Sequence, residues 1–185
     1  VYDPVHVLDS AEEIGWKARR IDESQILQEQ RIIASVWHPL LLESLRQGAQ
    51  VVLFQQQHGG LPADGVPFWR ESTGLFLPHP LWQRFRQLGY MGPQFIGLTC
   101  DRALIPEKLT EVLGADTVIQ PVMRRVDLRS LQIRDYLIDT VVGRGRMLAT
   151  TLRIAGGLGD APSGIERNVA GLWLLYCMTE VLNER

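Results

Sequence analysis

The stretch from Asp135 to Ile154, DYLIDTVVGRGRMLATTLRI, constrains the fold of this chain more than any other. Val, Ile, Leu, Tyr and Thr fill two arms, and Gly143-Arg144-Gly145 stands at the one point where the chain must reverse. That is the composition of a hairpin loop with a residue at positive φ. With Val142 set opposite Arg146, Tyr136, Ile138 and Val142 share one face with Leu148 and Leu152, while Leu137, Val141, Met147 and Ala149 share the other. Both faces are then apolar. A sheet of that kind has to be covered on both sides, which predicts a layered α/β domain.

The 185 residues, 45% hydrophobic and 22% charged, are enough for one soluble domain spanning 1–185 and too few for a second. Nineteen Lys and Arg against 21 Asp and Glu give a formal net charge of −2, with Met123-Arg124-Arg125 and nearby Arg129 read as the longest basic cluster. A broad nucleic-acid face is excluded on that balance. With no apolar run of about 18 residues and no basic-then-apolar leader, neither a membrane span nor a signal peptide is expected, and a cytoplasmic setting is favoured. A chain that opens on Val1 reads as a piece excised from a larger multidomain protein. Its two cysteines, Cys100 and Cys177, are far apart and read as free buried thiols.

Along the chain, Val5 to Leu8 reads as a strand, and Ser10 with Glu13 has the spacing of a capping box for the helix that follows. Arg31 to Val36 is a second strand. Pro39 then suits a first helical turn, Leu40 to Arg46 a helix stopped by Gly48, and Gln50 to Gln55 a third strand. Strands alternating with helices predict βαβ units and a parallel sheet at the front of the chain. From His58 to Gln94 the sequence turns Gly- and Pro-rich without a sustained period, and it reads as an ordered, partly buried excursion with a short helix over Pro80 to Leu88. Seven of the chain's 14 aromatics lie between Phe68 and Phe95. Phe95 to Thr99 and Thr117 to Val126 are further strand candidates, the second pushed towards an edge or a break by Pro121. Gly156-Gly157-Leu158-Gly159 makes a turn, Ser163 and Glu166 form a second capping box, and a helix over Ile165 to Leu182 is apolar round most of its girth.

Chemistry is thinly marked. Cys100 is the one nucleophile candidate, but Gly97-Leu98-Thr99-Cys100-Asp101-Arg102 lacks the second glycine of a nucleophile elbow, and all four histidines precede it. No histidine pair or Cys/His cluster has metal-ligand spacing, so neither a metal nor a cofactor is expected. Asp101, Asp135 and Asp139 would pair as glycosidase carboxylates only across a cleft, and Asp135 opposite Arg153 is more simply a cross-strand ion pair. The aromatic excursion is what stands out. Phe68, Trp69, Arg70, His79 and Trp82 offer flat rings beside polar groups, suited to contact with another domain or to stacking on a sugar.

The strand–helix order ending in QVVLF, then Pro67-Phe68-Trp69-Arg70, Leu77-Pro78-His79-Pro80-Leu81, Gln94-Phe95-Ile96-Gly97-Leu98 and Val142 to Leu148, resembles the amidotransferase-like accessory domain that follows the catalytic barrel in some bacterial family-two glycoside hydrolases. The resemblance runs from about Val5 to the last helix. It implies a flavodoxin-like three-layer sandwich, with a mostly parallel central sheet, a C-terminal antiparallel hairpin and no amidotransferase cysteine–histidine pair. The family's catalytic glutamates belong to the barrel, which takes about 250 residues, so none is carried over. The expected role is a non-catalytic module whose partners are the other domains of the parent enzyme or a second copy. The alternatives are a free-standing amidotransferase-like or hydrolase enzyme using Cys100, and a sugar-binding module using the 68–90 loop.

Overall fold

The computed structural model describes residues 23–55, 60–65, 72–95, 97–153 and 169–184. The expected strand at Val5 to Leu8 with its helix, His58, Phe68, Trp69, Arg70, the Gly156 to Gly159 turn and the Ser163/Glu166 box lie outside these residues. A helical turn, α1 (Glu23–Ile26), leads into β1 (Arg31–Ala34), α2 (Pro39–Gln47) and β2 (Gln50–Phe54). Pro39 fills a position where its missing N–H costs nothing, and the extended His38 before it accepts the Leu40 N–H on Nδ1 at 3.2 Å. Gly48 ends α2 at φ 112, and its N–H and that of Ala49 return to the carbonyls of Leu45 and Ser44.

β1 runs parallel to β2, and β2 parallel to β8 (Gly145–Thr150). Every other pairing is antiparallel: β8 with β7 (Ile133–Val142), β7 with β6 (Val118–Asp127), β6 with β4 (Ser72–Phe76), β3 (Ala63–Gly65) with β5 (Arg102–Leu104), and β5 with β7. The expected flavodoxin-like sandwich with a mostly parallel sheet is therefore corrected to a mixed sheet that has eight strands among the described residues, two of their seven pairings parallel and five antiparallel. The cause is the length of the connections. A parallel pair needs a crossover of a dozen residues or so, and the links from Asp127 to Ile133 and from Val142 to Gly145 are too short for one, so β6, β7 and β8 form a meander.

The β7–β8 hairpin lies inside this sheet, with β6 on its outer side and β2 on the other. Its loop is one residue shorter than expected. Val142 pairs with Gly145 and Val141 with Arg146, around Gly143 at φ 59. A one-residue shift of register exchanges faces. Leu148 accordingly packs with Leu137, Val52 and Phe54 on one face, while Ile138, Val142, Met147 and Ala149 join Val51 and Leu53 on the other. Placing Ile138 and Val142 beside Leu148 was wrong for that reason.

Both faces are buried. Leu174, Met178 and Val181 of α5 (Val169–Asn183) cover the first, together with Leu81 of α3 (Leu81–Arg84), Phe85 and Phe95. Leu41 and Leu45 of α2 cover the second with Leu109 and Leu113 of α4 (Pro106–Leu113). β6 carries its register shift at Pro121 to Met123, where proline cannot supply a ladder N–H. The expected strand at Phe95 to Thr99 is instead a 3-10 turn over Pro93–Phe95 and its continuation, with the Leu98 and Thr99 N–H groups bonded back to the Phe95 carbonyl. Phe95 and Leu98 both point inward, a spacing of three that suits a helical turn and defeats a strand.

The C-terminal end of α2 rests on the hairpin turn. A Cβ at Gly143 would lie 2.9 Å from the Cα of Arg46, and the Arg144 guanidinium donates to the Gln47 carbonyl at 3.0 Å. Replacing Gly143 with Val should therefore cost about 2 kcal/mol or more, from left-handed strain plus contact with backbone. Equal denaturation midpoints for the variant and the parent protein would refute this.

Candidate functional site

Among the described residues, two clusters of charged groups lie buried in the sheet. In the first, Asp139 in the middle of β7 accepts from Arg146 on the neighbouring strand, with Nε to Oδ1 at 3.0 Å and Nη2 to Oδ2 at 2.6 Å, and from Nε2 of His79 at 2.9 Å. The ring of His79 is 1% exposed, and its other nitrogen accepts the Leu81 N–H at 3.2 Å. That fixes Nδ1 as the acceptor and Nε2 as the donor. Burial pushes the Asp139 carboxyl up, but the hydrogen bonds from His79 and Arg146, with the guanidinium charge, hold it below the ordinary carboxylate range. Arg146 also donates to the Val181 carbonyl and Gln50 to that of Leu182, so the C-terminal end of α5 meets a cation and an amide where its carbonyls lack helical partners. The cluster ties together the 77–82 turn, two central strands and the last helix. Every polar atom of Asp139 and His79 has a hydrogen-bond partner within the protein.

In the second cluster, Asp135 is paired with Arg124 across β6 and β7, Nε to Oδ1 at 2.9 Å, and not with Arg153 as the hairpin pattern had it. Burial pushes the Asp135 carboxyl up to about 6 against the pull of Arg124. Next to it Arg134 grips Asp64 of β3 with Nε and Nη2 at 2.8 to 3.1 Å. Arg125, 2% exposed, donates to the Tyr136 hydroxyl at 3.0 Å, which itself donates to the Cys100 carbonyl at 3.2 Å. Asp135 and Asp139 are each matched with an arginine, so the two carboxylates do not act as a facing pair.

Cys100 does not have the surroundings of a nucleophile. Its single S–H has the carbonyls of Arg102, at 3.1 Å from Sγ, and Thr151, at 3.0 Å, as acceptors within reach, and burial pushes the thiol up, against reactivity. Cys177 is buried in α5 and pushed up to about 12. Among the described residues no group of three or more His, Cys, Asp or Glu is arranged to hold a metal ion, and no helix is long and apolar enough to cross a membrane.

Of the residues singled out in the aromatic excursion, the structure describes His79 and Trp82, and it brings them together along one groove. Phe76, Leu77, Pro78, Pro80, Trp82, Gln83 and Gln87 line this open groove of about 600 Å3 with His79 at its floor. Trp82 is half-buried, its Nε1 donates to the Leu77 carbonyl at 2.9 Å, and it meets Phe76 edge to face at 5.0 Å. Phe85 and Phe95 complete the aromatic stack beneath it. Near by in sequence, Leu75, Leu88 and Tyr90 are 44%, 69% and 57% exposed. Asp139 was singled out in the sequence only as a possible glycosidase carboxylate, and its partners His79 and Arg146 were not, though a lone carboxylate inside YLIDTVV was a signal: a charge in a strand buried on both faces must have a partner.

No protein-family model matches the chain, and no curated protein matches it. One solved structure, of the cytoplasmic protein STM1381 from Salmonella typhimurium LT2, is similar at a TM-score of 0.50 and 8% identity, over 97% of this chain and 87% of that one. At that identity the likeness concerns the course of the backbone alone.

Proposed function

We propose that this chain is a non-catalytic interaction domain of a larger carbohydrate-processing enzyme, docking through the Phe76 to Tyr90 face onto another domain or a second copy. The observation that carries the reading is how the reactive side chains are used. His79, Asp139 and Arg146 are consumed in one buried knot, and the Cys100 thiol is turned to the carbonyls of Arg102 and Thr151. The groove over His79 is lined by rings, prolines and glutamine amides, and Leu88 and Tyr90, close by in sequence, are exposed, which suits a docking face. The glycoside hydrolase setting rests on the sequence resemblance.

The test has two arms. The purified chain should turn over neither aryl glycosides nor glutamine, and turnover abolished by a single substitution in this chain would refute the proposal. Trp82→Ala should weaken docking to the parent enzyme, or self-association measured by sedimentation, by about tenfold or more, the loss of one anchoring ring. Unchanged association would remove the docking face. A titration in which neutral oligosaccharides bind the parent chain and not the variant would favour the sugar-binding reading of the same groove.

A further inference from the structure

β3 and β5 form a two-stranded arm joined to the main sheet by one backbone pair, Leu104 with Asp135, by the forked ion pair of Arg134 with Asp64, by the Thr151 hydroxyl donating to the Arg102 carbonyl, and by the burial of Ala103 and Leu104. The neighbouring ladders are far longer: β7 pairs with β8 from Leu137 to Val142, and with β6 over nearly its whole length. At this joint Asp135 is 0% exposed. Its Oδ1 receives Arg124, and its Oδ2 has no hydrogen-bond partner among the described residues. A carboxylate with one oxygen bonded and the other buried without a partner is poorly solvated in its charged form. Either a proton on the carboxyl or water admitted by opening the joint relieves this. We propose that the β5–β7 joint is a pH-sensitive hinge, closed over a protonated Asp135 and released towards solvent when Asp135 ionises.

The charged groups around it set the direction. Arg124 on β6 favours ionisation, Glu107 on α4 opposes it, and on the arm itself Asp64 is neutralised by Arg134. Since the closed form holds its proton up to about 6 and the open form releases it near an ordinary aspartate value, closure is strongest in acid. It weakens as pH rises through that window and is level above it. Of the three ladders on β7 the joint is the shortest, so the strain appears there first: opening it breaks one backbone pair and uncovers Leu104, and it spares the ladders to β6 and β8.

Amide hydrogen exchange of Leu104, the β5 residue paired with Asp135, corrected for the intrinsic pH dependence of exchange, reads the opening directly. The opening constant should rise about tenfold from pH 5 to pH 7, while amides of Ile138 and Ala149 in the β7–β8 ladder stay level. Asp135→Asn should abolish the rise. Should that variant not fold, Glu107→Gln should move the rise to lower pH by weakening the opposition to charge. Exchange at β5 that follows the ladder amides, or a rise that survives Asp135→Asn, or one unmoved by Glu107→Gln, would overturn the hinge.

Discussion

Gly145→Ala is expected to destabilise the protein by about 3 kcal/mol or more, enough to remove most of the folded population of a marginal domain. A Cβ there would lie 2.4 Å from the Leu45 carbonyl oxygen, 2.5 Å from that of Ala49 and 2.8 Å from the Leu45 Cα. All three are backbone atoms and cannot rotate aside. Relief requires lifting α2 off the sheet, and Leu41 and Leu45, both fully buried beneath it, would lose their packing. Nor can the hairpin move away, because the Arg146 N–H is bonded to the Ala49 carbonyl at 3.2 Å and β8 is zipped to β2. The requirement is one of space, since Gly145 does not share the positive φ of Gly143. Chemical denaturation compared with Ser44→Ala, a small change on the same helix, would measure it, and a difference under 1 kcal/mol would show that α2 adjusts freely.

The second large effect is at Asp139. Truncation to alanine leaves the buried Nε2–H of His79 and the Arg146 guanidinium without their acceptor, a change costing about 3 to 5 kcal/mol for buried pairs. Arg146 keeps 30% exposure and can recover some hydration, so the lower end applies, about 3 kcal/mol. The pH dependence has a definite sign. The Asp139 carboxyl is depressed in the folded protein, so its contribution is fully present above the ordinary aspartate range, near 4, and is lost as pH falls through the folded value. Acid unfolding of the parent protein should thus be steeper than that of Asp139→Asn. Parallel acid transitions for the two would show that the carboxylate contributes little.

The front of the fold was legible because its signals are local. Pro39 and Gly48 bracket α2, and the unbroken apolar run QVVLF marks a strand buried on both faces, with Val51 and Val52 going to opposite sides. α4 carried the same punctuation, Pro106 at its start and Gly114 at its end, and its signal was overlooked. Sheet order was not legible, since a strand's residues advertise burial and leave open which neighbour it takes. The hairpin register turned on whether Gly145 belongs to the loop or to β8, a choice made by the backbone of α2 against it. The His79–Asp139 contact joins a proline-rich turn to a strand far along the chain, and spacing in sequence cannot display such a pair.

The position of β2 has a kinetic consequence. β6, β7 and β8 are successive in the chain and joined by short turns, so they can pair soon after synthesis at small loop-closure cost. β2 was made long before, yet its ladder to β8, Gln50 with Arg146 through Phe54 with Thr150, cannot begin until β8 exists. Until then the segment holding Val51 to Phe54 has one apolar strand edge unsatisfied, and the meander carries its complement. Assembly of the sheet is therefore governed by a late, long-range event, and chains arrested before β8 carry a sticky edge that has no partner of its own.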